Sequence, residues 1–260
     1  MKAIILAAGR GTRINKYTEE LPKGMLKLNN KSLIEHQIET LNSCGISDIS
    51  IVTGYKNEKI NFSGVKYYHN PAYHKTNMVV SLMCAKSEFN SDLLIAYSDI
   101  VYSPELVKNL METPSDIAIS VDSNWKNYWQ YRYGTTEFDL ENLVVSKNGN
   151  ITELGKEVNS SLGIDFRYIG LNKFSKSCLN LLIDIYEKKK IQNSIWQQSG
   201  KSFENGYMTD ILDEMIKNGE KLYPLVSEKK WLEFDTNEDY ELIVKLINNG
   251  KIHELIDFKI

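Results

Sequence analysis

Two segments of the chain carry residues whose types and spacing could handle phosphate. The first is Ala7-Ala8-Gly9-Arg10-Gly11-Thr12-Arg13, directly after the apolar run Lys2-Ala3-Ile4-Ile5-Leu6. Glycines admit positive φ and close backbone approach, so the amides of such a loop can cradle a phosphate. A dinucleotide fingerprint would need a third glycine where Ile14 stands, and a Walker loop would need a glycine followed by lysine, which neither Gly9 nor Gly11 supplies. What remains is a two-glycine loop with arginines, suited to a nucleoside triphosphate; the plain alternative is an ordinary turn. The second segment, Thr18 to Lys27, sets Lys23 behind Pro22. A lysine on a rigid backbone could neutralise charge building on a phosphate in the transition state. Its alternative is a solvated surface lysine.

Carboxylates follow. Asp99 ends the apolar run Leu93-Leu94-Ile95-Ala96-Tyr97-Ser98. Open α/β sheets bind ligands at the carboxyl ends of their strands, where an aspartate can hold Mg²⁺ against triphosphate oxygens. Asp235 occupies a similar place after Trp231-Leu232-Glu233-Phe234, with a helix N-cap as the competing role. Asp210, near the start of a helix, is read as structural. The four histidines have no metal-ligand spacing, so no zinc site is expected.

The elements that must position these groups are legible in outline. Short apolar runs at Lys2 to Leu6, Ile49 to Thr53, Leu93 to Tyr97 and Ile117 to Val121 suit buried strands. They alternate with helical patterns at Ser32 to Ser43, where Ser32 and Glu35 form a capping box, at Asn77 to Ala85 and at Ser103 to Met111. This βαβα rhythm predicts an α/β fold with a mostly parallel sheet and helices on both faces. After Asp122 come the aromatics of Trp125 to Gly134 and a hairpin signal at Lys147-Asn148-Gly149-Asn150. Residues 122–165 therefore read as a β-rich lobe inserted into one domain spanning 1–260. Phe166 to Leu171 returns to the sheet, with helices over Lys173 to Lys190, Tyr207 to Asn218 and Tyr240 to Asn248.

Bulk properties exclude several classes. A net charge of −3 with interspersed signs leaves no footprint for nucleic acid. Nothing approaches the ~20 apolar residues of a membrane span. Three widely separated cysteines suggest no disulfide framework. A soluble cytoplasmic protein, monomeric or homodimeric, is expected.

Taken together, Ile5-Leu6-Ala7-Ala8-Gly9-Arg10-Gly11-Thr12-Arg13, Pro22-Lys23 and Leu33-Ile34-Glu35 resemble the signature of sugar-nucleotidyltransferase-like enzymes. The resemblance covers the whole chain but is sharp only in the first 40 residues and at two later aspartates. It implies a Rossmann-like sheet with a small acceptor-side lobe. It also implies that Leu6, Ala7, Ala8, Gly9, Gly11 and Thr12 hold the triphosphate, that Lys23 and Arg13 act on the reacting phosphates, and that Asp99 and Asp235 share Mg²⁺.

Within that family the chain is most similar to the small cytidylyltransferases of the phosphocholine type, which carry a comparable Asn-x-x-Tyr step and short Ser-containing helix. Here these are Asn70-Pro71-Ala72-Tyr73 and Asn77-Met78-Val79-Val80-Ser81-Leu82. The Gln-x-x-Pro segment of the sugar enzymes is absent, so CTP is favoured, with Asn77 and Ser81 near the base. Asn77 also reads as a helix N-cap. Trp129 matches a tryptophan of the choline site, whereas Arg132 replaces an apolar residue; beside a quaternary ammonium it would be repulsive, but it suits a carboxylate. The acceptor implied is acidic and phosphorylated, similar to the L-glutamine phosphate used in capsular phosphoramidate synthesis. The expected reaction is direct in-line attack on the α-phosphorus of CTP with release of pyrophosphate. Rival readings are a cytidylyltransferase for phosphocholine, phosphoethanolamine or aminoethylphosphonate, a sugar-1-phosphate nucleotidyltransferase, and a nucleotide-binding module without catalysis.

Overall fold

Strand β1 (Lys2–Ala7) is apolar on both sides: Ala3, Ile5 and Ala7 pack into one buried cluster, Ile4 and Leu6 into another. A strand without a polar face must be covered by helices above and below. The computed structural model, which describes all 260 residues, provides them. After a short helix α1 (Asn15–Thr18) and the two-residue strands β2 (Lys27–Leu28) and β3 (Lys31–Ser32) come α2 (Leu33–Ser43), β4 (Ile49–Thr53), β5 (Lys66–His69), α3 (Met78–Cys84) and β6 (Leu93–Tyr97). Then follow β7 (Ile100–Tyr102), α4 (Pro104–Glu112), β8 (Ile117–Asp122), α5 (Trp125–Tyr133), β9 (Glu141–Val145), β10 (Ile151–Glu157) and β11 (Arg167–Phe174). The chain closes with α6 (Lys176–Gln192), α7 (Met208–Lys217), β12 (Leu222–Ser227), β13 (Trp231–Glu233) and α8 (Asn237–Asn248).

One nine-stranded sheet runs in the order β5-β4-β1-β6-β11-β8-β12-β10-β9, with β11 and β10 directed against the rest. Helices α2, α4, α5 and α8 cover one face and α3, α6 and α7 the other. The chain leaves β1 toward β4 on one side and toward β6 on the other, so the loop after β1 lies at a switch point of the sheet. The capping box of α2 is present: Ser32 Oγ accepts from the Glu35 amide at 3.1 Å, and the Glu35 carboxylate accepts from the Ser32 amide at 2.6 Å.

Segment 122–165 departs from the expected lobe in two ways. The aromatic stretch is a helix, α5, with Trp125, Tyr128, Trp129 and Arg132 buried at i, i+3, i+4 and i+7. The hairpin β9–β10 continues the central sheet through the pairing of Ile151 with Leu222, and does not build a sheet of its own.

At the opposite edge, Glu88 ties strands together. Its buried carboxylate accepts from Lys2 Nζ at 2.6 Å, Lys66 Nζ at 3.1 Å and the Tyr68 hydroxyl. Burial alone would raise its pKa, but these donors hold it down at about 2. A depressed carboxylate contributes stability above its ordinary pKa, and that contribution fades as pH falls toward 2. Glu88→Gln should therefore cost about 2 kcal/mol at pH 7 and much less near pH 3. Urea unfolding at both pH values checks this; an equal deficit at each would contradict it.

Candidate active site

The carboxyl ends of β1, β6 and β13, with β9 and β11 beyond them, open onto a cavity of about 500 Å³. That is the size of a small-molecule site. Leu6, Ala8, Gly9, Gly11, Thr12 and Arg13 line one side. Gly11 has φ +70°, and a Cβ there would sit 3.0 Å from the Lys23 Cβ, so the glycine lets loop and lysine approach. Pro22, with φ −64°, launches the 3₁₀ turn Lys23–Met25 that aims the lysine inward.

Lys23 Nζ lies 2.7 Å from Asp99 Oδ2 and 2.7 Å from Asp235 Oδ1. Arg13 adds a contact to Asp235 Oδ1 at 3.0 Å. Residues 76 and 212 positions apart thus meet at one cation. Three hydrogen bonds hold the frame. Gln37, buried in α2, donates to the carbonyls of Tyr97 at 2.8 Å and Ile100 at 2.6 Å, bracketing the turn that carries Asp99. The Phe234 amide donates to the Asp99 carbonyl at 3.0 Å and draws Asp235 alongside. The N-cap of α8 is Thr236, paired with Asp239, which leaves the Asp235 side chain free for the cavity.

Electrostatics follow from burial and pairing. Burial pulls the Lys23 ammonium down, but Asp99 and Asp235 more than offset this, and its pKa lies above the ordinary lysine value. Burial would lift Asp235, yet Lys23, Arg13 and Arg132 hold it well below the usual carboxylate range. Burial pushes the neighbouring Glu233 up to about 7, against the pull of Arg132 and with the help of Asp235. Asp99 and Asp235 are therefore a pair of carboxylates that share the Lys23 ammonium, with Arg13 and Arg132 adding positive charge at Asp235.

Most residues anticipated from the sequence line this cavity: Lys23, Arg13, Asp99, Asp235, Asn77 and Ser81 do so, with the loop. Asn77 caps α3, its Oδ1 accepting from the Met78 amide at 2.9 Å. Ser81 Oγ accepts from Asn70 at 2.9 Å and donates to the Asn77 carbonyl at 3.1 Å. Ala7 does not line the cavity, its side chain alternating to the opposite face and packing in the core. Trp129 and Arg132 are corrected. Neither lines the cavity, and Trp129 is fully buried, its indole N–H donating to the Phe138 carbonyl at 2.8 Å. Arg132 is committed inside the protein, donating to Asp239 at 2.8 and 2.9 Å and pairing with Glu233. Asp210 is structural as expected, accepting from the Tyr207 amide at 2.8 Å and from Ser199 Oγ at 2.9 Å. The far side of the cavity was not anticipated: Asp139, Glu141, Arg167, Tyr168, Thr209 and Glu233 line it. The only local signal is strand alternation, which puts Glu233 and Asp235, or Arg167 and Ile169, on one side of the chain.

Comparison with known proteins gives the same frame. A family model described as the MobA-like NTP transferase domain matches residues 3–153. The CTP:phosphoglutamine cytidylyltransferase of Campylobacter jejuni is 38% identical over 256 residues, covering 94% of this chain and 100% of that protein. The choline-phosphate cytidylyltransferase of Streptococcus pneumoniae is 35% identical over 156 residues, 58% of this chain and 67% of that one. Among solved structures, the CTP:phosphocholine cytidylyltransferase from Streptococcus pneumoniae shares the fold, with a TM-score of 0.72 at 23% identity, covering 95% of this chain and 98% of that one. With a glycine loop, an inward lysine and two strand-end aspartates around one cavity, the chain belongs to the MobA-like NTP transferase family and is a nucleotidyltransferase.

Proposed function

We propose that this nucleotidyltransferase is a cytidylyltransferase that joins CTP to L-glutamine phosphate, giving CDP-L-glutamine and pyrophosphate. The observation that carries the chemistry is Lys23 Nζ held 2.7 Å from both Asp99 and Asp235 beside the glycine loop. The acceptor is supported by the end-to-end likeness to the phosphoglutamine enzyme, where the choline-phosphate relative matches 58% of the chain.

The acceptor phosphoryl group is already anionic near neutral pH, its second ionisation falling at about 6, so no general base is required. One of its oxygens attacks the α-phosphorus of CTP; the new P–O bond forms as the bond to the β-phosphate oxygen breaks, and pyrophosphate leaves. The loop positions the triphosphate, while Lys23 and Arg13 neutralise charge on the reacting and departing phosphates. Asp99 and Asp235 fit Mg²⁺, which takes one or two carboxylates and completes its shell with phosphate oxygens and water. No cluster of three or more His, Cys, Asp or Glu competes as an all-protein metal cage. When bound, the ion would neutralise the triphosphate charge and orient it. In this reading Asn77 and Ser81, on the α3 side, face the nucleoside, and the β9–β11 side receives the acceptor.

The test is pyrophosphate release with CTP and Mg²⁺ against L-glutamine phosphate, phosphocholine, phosphoethanolamine, 2-aminoethylphosphonate and glucose-1-phosphate. Turnover is expected with L-glutamine phosphate, and with UTP or GTP in place of CTP it should fall at least about tenfold, the scale of one lost base contact. Turnover on phosphocholine alone would keep the reaction class and overturn the acceptor. No turnover on any acceptor, with CTP still bound, would favour the non-catalytic module.

A further inference from the structure

Two opposite charges on the acceptor side of the cavity are left without side-chain hydrogen-bond partners. Arg167 is 9% exposed, and its Nη1 has no hydrogen-bond partner in the protein. Its guanidinium carbon lies 4.8 Å from the Trp129 ring centroid, within cation–π range. The nearest acid is Asp139, at 3.6 Å from Nη2, beyond hydrogen-bond length and already shared with Arg13 at 3.8 Å. Arg167 thus lines the cavity with no acid hydrogen-bonded to it, and a guanidinium so placed gains from an acceptor that a ligand supplies.

Glu141, on β9, lines the same cavity. Burial raises its pKa and Arg167 opposes that rise, so the two charges sense each other. Yet no ion pair within 4.0 Å joins them. A cation and an anion that face one cavity without closing on each other leave a gap whose complement carries both charges.

Resting on the cytidylyltransferase reading above, we infer that Arg167 and Glu141 form the receptor for a zwitterionic α-amino acid head, Arg167 taking the α-carboxylate and Glu141 the α-ammonium. A planar guanidinium matches a carboxylate through two N–H donors, a geometry that a choline or ethanolamine head cannot use. Both residues bind substrate away from the reacting phosphates, so they set acceptor specificity. The carboxylate role expected for Arg132 thereby moves to Arg167, which shares Trp129 with it as a neighbouring ring.

The experiment is a cycle of variants and acceptors, read as kcat/KM for pyrophosphate release at saturating CTP. The acceptors are L-glutamine phosphate, the counterpart lacking the α-carboxylate, and the counterpart lacking the α-ammonium. Wild type should lose about 100-fold on each counterpart. Arg167→Met should lose about 100-fold on the full acceptor but stay within a few-fold of wild type on the decarboxylated one, and Arg167→Lys should recover part of the loss. Glu141→Gln should mirror this, with its loss confined to acceptors that carry the ammonium. Equal losses on all three acceptors would overturn the inference while leaving the cytidylyltransferase reading intact. Wild type releasing no pyrophosphate from L-glutamine phosphate would overturn that reading and this inference with it. Should Arg167→Met fold poorly, Arg167→Lys and Glu141→Gln complete the same cycle.

Discussion

Lys23→Ala is expected to lower kcat by about 1000-fold while changing the Kd for CTP less than tenfold, the upper range for deleting one preorganised charge at a reacting centre. Under the proposed mechanism, three features set Lys23 for a transition-state role. Its backbone is fixed between Pro22 and the 3₁₀ turn, its stem passes Gly11 at close range, and its ammonium rests between Asp99 and Asp235. A lysine that only held CTP would raise the Kd on removal and leave kcat near wild type. CTP titration by calorimetry, with pyrophosphate release measured at saturating substrates, separates the two. Near-normal turnover would remove Lys23 from the chemistry. The substitution also takes the cation from between two carboxylates, so it should be compared at saturating Mg²⁺, which under the proposed mechanism would offset the like-charge repulsion between Asp99 and Asp235.

The reach and the limits of the sequence can be traced to particular residues. Strands β1, β4, β6 and β8 are short, mainly apolar runs, broken only by Ser50 in β4 and Ser120 in β8, and they lie where those runs predict. Strand β5 is polar and largely exposed at the sheet edge, so it carries no such pattern. Strand β12 holds Pro224, which argues against an interior strand. The fold tolerates it because β12 meets β10 only at Leu222, leaving its flank beside Pro224 an edge in practice. Helix α5 was hidden because its aromatic run was read as part of a β-rich lobe and Arg132 as an acceptor-site residue; read as facing the core, Arg132 completes a helical stripe with Trp125, Tyr128 and Trp129.

The site divides in the same way. The side proposed to hold the triphosphate was legible because the loop, Pro22-Lys23 and the strand-end aspartates are local patterns with a local physical reason. The side lined by Glu141, Arg167 and Glu233 was not, because these residues come from β9, β11 and β13, which are not neighbours in any sheet and meet only in the tertiary fold. An arginine's role likewise depends on what surrounds it. Arg132 and Arg167 both lie against Trp129, but one faces buried acids and the other faces the cavity.

Arg132→Met should therefore be a stability and positioning variant, and its effect should not depend on the acceptor. The side chain is wholly buried, its guanidinium 4.7 Å from the ring centroids of Trp129 and Tyr133, and it neutralises Asp239 and Glu233. Methionine preserves volume but leaves two buried carboxylates without their counter-ion, which costs about 3–5 kcal/mol when one partner of a buried pair is lost. For a chain of this size that is a fall in Tm of roughly 10 °C. The change also reaches the chemistry. Asp239 Oδ2 accepts from the amides of Asp235 at 3.0 Å and Thr236 at 2.9 Å, so the arginine steadies the backbone that presents Asp235. Turnover should fall about tenfold, equally for acceptors with and without an α-carboxylate, and Arg132→Lys should recover part of the Tm because it restores charge without the fork. Thermal unfolding together with kcat/KM on the paired acceptors decides the matter. A normal Tm with a loss confined to carboxylated acceptors would return Arg132 to the acceptor site and displace Arg167 from it.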